Sequence, residues 1–226
     1  MTKNPDRPHG RPPGRPRRFD PDQAVATAQR LFHARGYDAV SVADVTGALG
    51  INPPSFYAAF GSKAGLYARI LDRYAATEAI PLADLLRSDR PVAESLAAVL
   101  EEAARRYAAD PAATGCLVLE GVRCNDRDAR EVARAFHGAA QDMVRRYIAA
   151  RHPEEAERLT DFVDTITAGL SAKARNGHGL DRLLATARLA GLAIAQALAA
   201  PRPGVSALDP VESGGETQHG HEPESP

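Results

Sequence analysis

Apolar residues recur at the spacing of an α-helix along most of this chain, and no long segment alternates between apolar and polar residues. One stripe repeats every three or four positions and so covers one side of a helix: Leu159, Phe162, Val163, Ile166 and Leu170. Beyond residue 75, such stripes and their breakers predict helices over residues 91–109, 113–124, 127–150, 154–176 and 180–200. The chain is therefore predicted to be all-α, in agreement with an aromatic content of 5% and the absence of tryptophan.

Residues 41–60 form two short predicted helices that are separated by residues 50–52. Ser41 and Asp44 have the spacing of a capping box, which indicates the start of the first helix. Asn52 is a capping residue for the second. A glycine at position 50 allows the helices to cross steeply, and short residues at the start of the second helix allow it to approach base edges. The segment therefore predicts a helix-turn-helix for the DNA major groove.

The segment from residue 19 to residue 75 resembles the N-terminal DNA-binding domain of the TetR family of transcriptional regulators. The resemblance covers about a quarter of the chain and runs without a gap. Its matching elements are, in chain order, Leu31-Phe32, Gly36-Tyr37, Ser41-Val42, Leu49-Gly50-Ile51, Phe56-Tyr57, Phe60, Ser62-Lys63 and Leu66. A generic helix-turn-helix would not also carry the residues found at positions 57, 60 and 63.

The resemblance implies a three-helix N-terminal helix-turn-helix domain, followed by a larger helical domain for ligand binding and dimerisation. It implies that Ser41, Tyr57 and Lys63 contact DNA phosphates. It also implies that bases face the start of the second helix, which consists of Asn52, Pro53, Pro54 and Ser55. Many relatives carry a large residue where this chain has Ala58, so that contact is not expected here. The resemblance also implies a homodimer whose interface is formed by the last two long helices.

Positive charge is concentrated in the first 75 residues, which hold 11 lysines and arginines against 6 acidic residues, whereas the remainder holds 17 against 23. This asymmetry favours an N-terminal part that faces nucleic acid. Arg15, Arg17 and Arg18 lie in a Pro- and Gly-rich arm, for which minor-groove insertion, non-specific attraction to phosphates and no role are the alternatives. The predicted organisation is a disordered basic arm (1–18), a helix-turn-helix domain (19–75), an effector-binding and dimerisation domain (76–200) and a disordered acidic tail (201–226).

The second domain is expected to hold an effector pocket and a dimer interface. The candidate pocket residues are Leu100, Tyr107, Cys116, Leu119, Phe136, His137, Met143 and Phe162. Alternatively, His137 is a satisfied semi-buried histidine, and Cys116 and Cys124 are either small buried residues or a thiol sensor. The candidate interface residues are Val163, Ile166, Leu170, Leu183, Leu184, Ala187, Ala190, Gly191 and Ile194. Their stripes belong either to the core of one protomer or to the seam between two, and the small residues permit close helix approach.

The favoured function is a sequence-specific transcriptional regulator, namely a ligand-responsive repressor that binds a palindromic operator in double-stranded DNA as a homodimer. The alternative is an architectural or non-specific DNA binder that acts through the arginine-rich arm. The sequence has no HExxH, GxSxG or P-loop motif, so no enzymatic activity, metal or cofactor is expected. Two cysteines make no disulfide framework, no run of about 18 apolar residues predicts a membrane span, and a cytoplasmic location is expected.

Overall fold

The computed structural model describes residues 20–200, and all regular structure in that range is helical. This confirms the predicted all-α class. The predicted arm and tail, with Arg15, Arg17 and Arg18, lie outside the described residues. In chain order the helices are α1 (Pro21–Arg35), α2 (Val42–Leu49), α3 (Pro53–Phe60), α4 (Lys63–Thr77), α5 (Leu82–Leu85), α6 (Val92–Tyr107), α7 (Leu117–Gly121), α8 (Arg127–Ala149), α9 (Ala156–Arg175) and α10 (Leu180–Ala199). A 3-10 turn, Pro153–Glu155, precedes α9.

Side-chain caps start the first four helices, and those of α2 and α3 lie where the sequence predicts them. The capping side chains, each accepting a hydrogen bond from a first-turn N–H group, are Asp20, Ser41, Asn52 and Ser62. The capping box at α2 is complete, because the Asp44 carboxylate accepts from the Ser41 N–H at 2.8 Å. Gly50 then ends α2 in the left-handed conformation, with a φ of 64°. The turn between α2 and α3 is therefore short, as a helix-turn-helix requires.

The first hydrophobic core is shared by α1–α4 and by residues from the second half of the chain. Phe32, Phe56 and Tyr67 are fully buried in it. Leu117 of α7 and Ala129 of α8 belong to the same cluster. The predicted boundary at residue 75 therefore divides the chain without dividing this core, and α4 packs against both parts.

The second core lies between α6, α8, α9 and α10. Leu96 and Leu100 of α6 and Leu183 of α10 are fully buried there. α6 and α10 approach closely at Gly191, where an added Cβ would lie 2.9 Å from the Cβ of Ala97. A small residue at this crossing is therefore a packing requirement of the protomer.

The structure differs from the prediction in the segments on either side of α6. The predicted helix over residues 113–124 is reduced to α7, Leu117–Gly121. Gly115 has a φ of 79°, which a right-handed helix does not allow, so the chain becomes helical only after Cys116. The four-residue α5 is missing from the prediction, because so short a segment shows no helical period.

Seven of the nine candidate interface residues are buried within the protomer: Val163, Leu170, Leu183, Ala187, Ala190, Gly191 and Ile194. They form the sides of α9 and α10 that face inward, so their assignment to a dimer seam is corrected; Ile166 and Leu184 stay partly exposed.

The outer side of α10 instead carries Leu189 and Leu192, each 69% exposed. Within residues 20–200, α10 is also the one helix long and apolar enough to cross a membrane, with a mean hydropathy of 1.2. A bundle helix passes the same test, and its exposed leucines indicate a partner surface.

Gly121→Ala is expected to destabilise the protein, because an added Cβ would lie 2.5 Å from Tyr67 Oη and 2.8 Å from Ala133 Cβ. We expect the free energy of unfolding, measured by urea denaturation, to fall by about 1–3 kcal/mol. Gly138→Ala in α8 is the control, since a Cβ there meets nothing within 4 Å and alanine favours the helix. A Gly121→Ala variant as stable as the parent would contradict this packing.

Candidate DNA-binding surface and interior cavity

Helix α3 is anchored on one side in the first core and presents its start to solvent. Phe56 and Phe60 are buried, with their rings 5.5 Å apart. Tyr57, between them in sequence, is 52% exposed. Residues 53–55 are exposed as well. The structure therefore places the residues predicted to face DNA bases on the surface, next to an exposed tyrosine.

The first turn of α3 offers side chains rather than free backbone donors. Pro53 and Pro54 have no N–H group, and the Ser55 N–H donates to Asn52 Oδ1 at 2.9 Å. The Phe56 N–H donates to the Asn52 carbonyl. The surface that remains consists of two proline rings, the Ser55 hydroxyl and the Asn52 amide nitrogen. Such a surface suits thymine methyl groups and the acceptors of base edges.

Ser41 lies at the exposed start of α2, where its hydroxyl donates to the Asp44 carboxylate. Arg35 Nη1 lies 3.1 Å from the same carboxylate. The hydrogen bond from the Ser41 hydroxyl, followed by those from the Ser41 N–H and Arg35, lowers the pKa of Asp44 to about 2. Asp44 is therefore charged at neutral pH, and the Ser41 hydroxyl can donate to a phosphate only by leaving it.

Lys63 lies over an aromatic ring of its own protomer. Its ammonium nitrogen is 4.0 Å from the centroid of the Tyr37 ring, and the Tyr37 hydroxyl donates to Asp126 at 2.8 Å. Asp126 also caps α8 by accepting from the Ala129 N–H, and this bond lowers the pKa of Asp126. Lys63 is thus connected to the start of α8, a contact that sequence reasoning missed because its members are far apart in the chain.

Further contacts join α1 and its C-terminal end to the second half of the chain. The buried His33 ring places Nε2 3.1 Å from the Gly115 carbonyl, and Arg175 donates to the His33 carbonyl at 3.3 Å. Burial lowers the pKa of His33, so the ring is neutral at pH 7 and its Nε2–H is the donor. Both carboxylate oxygens of Asp38 accept from the Asn125 N–H. α1 and the loop that follows it are therefore tied to the second half of the chain at several points.

A cavity of about 420 Å³ lies between α4, α6, α8, α9 and the segments around α5 and α7. Six of the candidate pocket residues line it: Tyr107, Cys116, Leu119, Phe136, His137 and Met143. Leu100 and Phe162 do not belong to its wall. Leu100 is fully buried in the second core, and Phe162 packs on the partly exposed edge of that core. Helical spacing identifies apolar sides of helices, but it does not show which apolar residues leave space between them.

Polar groups occupy a few places on the mainly apolar cavity wall. His137 Nε2 lies 2.6 Å from Asp164 Oδ1, so the imidazole N–H donates to the carboxylate. Burial, followed by the proximity of Cys116, raises the pKa values of Tyr74 and Tyr107. Among the residues that the structure describes, no group of three or more histidine, cysteine or acidic side chains is arranged to hold a metal ion. The wall suits an apolar organic molecule with few polar groups.

On α9, three polar cavity residues were missed by sequence reasoning: Thr160, Asp164 and Thr167. They lie four and three positions apart and therefore on one side of α9. The available signal was their helical spacing next to Val163, which shows that polar groups share the inward side of this helix with a buried residue.

The model of the family described as "Bacterial regulatory proteins, tetR family" matches residues 24–70. The chain is 59% identical over 184 residues to the HTH-type transcriptional repressor BdcR of Escherichia coli (strain K12), which covers 81% of this chain and 93% of BdcR. The chain belongs to the TetR family. It is also 29% identical over 182 residues to the HTH-type transcriptional repressor ComR of the same strain, over 76% of this chain and 87% of ComR.

Solved structures of TetR-family regulators share this fold. A cysteine mutant of the regulator CifR, complexed with 26bp double-strand operator DNA, has a TM-score of 0.71 and 33% identity, over 80% of this chain and 99% of that one. A TetR-family regulator from Streptomyces coelicolor has a TM-score of 0.68 and 16% identity, over 79% of this chain and 95% of that one. The second likeness concerns the fold alone.

Tyr37→Phe is expected to lower the free energy of unfolding by about 1 kcal/mol, because it removes one hydrogen bond to Asp126 and keeps the ring under Lys63. Chemical denaturation measures the change. Tyr57→Phe is the matched control, since its side chain is half exposed and its loss of a hydroxyl should leave stability unchanged. Equal stability of both variants and the parent would mean that the Tyr37–Asp126 contact contributes nothing.

Proposed function

We propose that this protein is a sequence-specific transcriptional repressor that binds a palindromic operator as a homodimer and is released by a small-molecule effector. The observation that carries the proposal is the exposed start of α3, held by buried Phe56 and Phe60, in a chain 59% identical to a transcriptional repressor. CifR, at 33% identity, is complexed with operator DNA, which supports operator binding by this chain. Because a repressor acts on chromosomal DNA, the proposal includes a cytoplasmic location.

In the proposed complex, α3 enters the major groove with its N-terminal end toward the bases. Pro53 and Pro54 face thymine methyl groups, while Asn52 and Ser55 face the polar base edges. Tyr57 donates its hydroxyl to a phosphate, which its exposure permits. Phosphate contacts position the helix, and the residues at its start provide sequence preference.

Ser41 and Lys63 complete the proposed set of phosphate contacts. Both are already engaged in the protomer, Ser41 with Asp44 and Lys63 with the Tyr37 ring. Binding to DNA exchanges these contacts for new ones, so the net gain is smaller than for a free side chain. We therefore expect Tyr57 to contribute more to affinity than either of them.

The arm at residues 1–18 adds a sequence-independent contribution in this proposal. Arg15, Arg17 and Arg18 follow the phosphates or the minor groove beside the operator. A non-specific DNA binder that acts through the arm alone is the second candidate function. The excess of basic residues in the first 75 positions, 11 against 6 acidic residues, favours it.

The proposed dimer interface is the outer side of α9 and α10. Leu189 and Leu192 are three residues apart on α10, so they lie on one side, and both are largely exposed. Phe162 and Ile166 are partly exposed on α9 with similar spacing. Two such helix pairs related by a two-fold axis form a four-helix interface. The same axis would set the two α3 helices about 34 Å apart, one turn of B-DNA.

Release by an effector requires a ligand that binds one conformation better than the other. The cavity wall includes Cys116, next to α7, and Tyr74 of α4, whose ring lies edge-on to His33 at 5.6 Å between centroids. Leu117 accepts the hydrogen bond from Tyr67. A ligand that displaces α7 or the end of α4 therefore changes contacts to the DNA-binding helices, and with them the separation of the two α3 helices.

Tyr57→Ala is expected to weaken binding to the DNA upstream of the protein's own gene by about tenfold, because it removes a hydrogen bond to a charged phosphate. Mobility shift against a shuffled sequence measures this change. Thr77→Ala is the control, at the far end of α4 roughly 20 Å from Lys63.

Removal of residues 1–18 separates the candidate functions: retained preference for the upstream DNA supports the helix-turn-helix, and loss of all affinity supports the arm.

Leu189→Glu combined with Leu192→Glu is expected to convert the dimer to a monomer, because closing the interface would bury four uncompensated carboxylates. Light scattering coupled to size-exclusion chromatography measures the mass. Ala76→Glu, on the exposed side of α4, is the control and should remain dimeric. If the double variant stays dimeric, the interface lies elsewhere.

A further inference from the structure

The charge of the cavity wall discriminates between classes of effector. Its described lining residues include two carboxylates, Asp84 and Asp164, together with His137, and no lysine or arginine. An anionic ligand would find no lysine or arginine partner in this wall, and the His137 N–H already donates to Asp164. Because burial of an unpaired charge beside a carboxylate is costly, the wall disfavours carboxylate and phosphate ligands.

The α9 side of the cavity is rich in hydrogen-bond acceptors. Thr160 donates its hydroxyl proton to the Ala156 carbonyl at 2.6 Å, and Thr167 donates its own to the Asp164 carbonyl at 2.9 Å. With these protons engaged, both hydroxyl oxygens are left with acceptor capacity only. Ligands that approach this side must therefore bring N–H or O–H donors.

Asp164 stands between the two threonines and retains a free acceptor. His137 occupies Oδ1, and no protein donor within residues 20–200 contacts Oδ2. A carboxylate that faces a cavity with unused acceptor capacity favours a cationic donor over a neutral one.

The wall opposite these acceptors is apolar and suits the hydrocarbon part of a ligand. Val99, Leu119, Phe136 and Met143 contribute hydrocarbon, sulfur and aromatic surface. The volume of about 420 Å³ lies within the usual range of small-molecule sites, roughly 300–1,000 Å³. The cavity therefore offers an apolar compartment with one strongly accepting side.

We infer that this cavity selects an apolar primary or secondary ammonium ion. Its N–H groups are held by Asp164 and the hydroxyl oxygens of Thr160 and Thr167, and its hydrocarbon part packs against Phe136 and Met143. The inference deepens the proposed function and rests on it, since this cavity is the proposed effector site.

Four ligands with the same hydrocarbon chain test the inference: octylamine, octyltrimethylammonium, octanol and octanoate. Calorimetric titration of the full-length protein at neutral pH is expected to show octylamine binding at least tenfold tighter than octanol, and octanoate weakest. Octyltrimethylammonium has the charge without an N–H group and should bind more weakly than octylamine. Absence of octylamine binding, or equal binding of octanol or octanoate, would overturn the inference. Equal binding of octyltrimethylammonium would overturn the role of the N–H donors.

Asp164→Asn tests the residue that carries the inference. An asparagine oxygen can still accept from His137, so the variant should fold, while octylamine affinity falls about tenfold and octanol affinity stays the same. Asp161→Asn is the matched control, on the same helix but exposed and outside the cavity wall. Loss of octylamine and octanol binding in equal measure would contradict a role for the charge.

The titrations need no DNA, so they separate this inference from the proposed function. Preference for octylamine in a protein that does not bind its upstream DNA would leave the ligand class standing and reject the repressor. Specific DNA binding together with a preference for octanoate would support the repressor and reject the ligand class.

Discussion

The two halves of the chain are joined by the contacts of one side chain, that of Tyr67. Its ring is fully buried, 5.6 Å from the Phe32 ring and 4.9 Å from the Tyr37 ring between centroids. Its hydroxyl donates to the Leu117 carbonyl, in space that exists because residue 121 is a glycine. One aromatic residue therefore belongs at once to the DNA-binding helices and to α7. The two halves cannot separate here without opening a packed core.

In the proposed repressor, this arrangement would make the response to an effector discrete rather than gradual. Close-packed side chains do not absorb a displacement by compressing, so a shift of α7 must be passed to α4 or must break the Tyr67–Leu117 hydrogen bond. Cys116, directly before Leu117, lies in the cavity wall. The distance from ligand to DNA-binding helix is therefore only a few side chains, and no long pathway through the second core is needed.

Features that depend on near neighbours in the chain could be predicted from the sequence, whereas contacts between distant partners could not. Ser41 and Asn52 cap their helices as predicted, because a cap depends on residues three positions away. An apolar stripe, by contrast, identifies a helix face without naming what covers it. Gly191 therefore appeared suited to a dimer seam, whereas it packs against Ala97 in the same protomer.

The same limit applied to the cavity. Most of the candidate apolar wall followed from helical spacing, because a pocket between helices is lined by their inward sides. Asp164 did not, because a lone acidic residue on an inward face acquires its meaning only from His137 on another helix. This pair could not be predicted because its members are far apart in the sequence. The same holds for Tyr37 and Asp126, which are 89 positions apart.

The contacts of Lys63 link DNA binding to α8 and thereby to the cavity. A phosphate that attracts its ammonium group competes with the Tyr37 ring, whose hydroxyl is bonded to the residue that caps α8. Part of the free energy of DNA binding is then used to change contacts at the start of α8, the helix that also provides Phe136 and His137 to the cavity. Coupling between sites is reciprocal, so if this exchange at Lys63 weakens ligand binding, the ligand weakens DNA binding by the same factor. The proposed repressor thus has a second connection between cavity and DNA, independent of Tyr67.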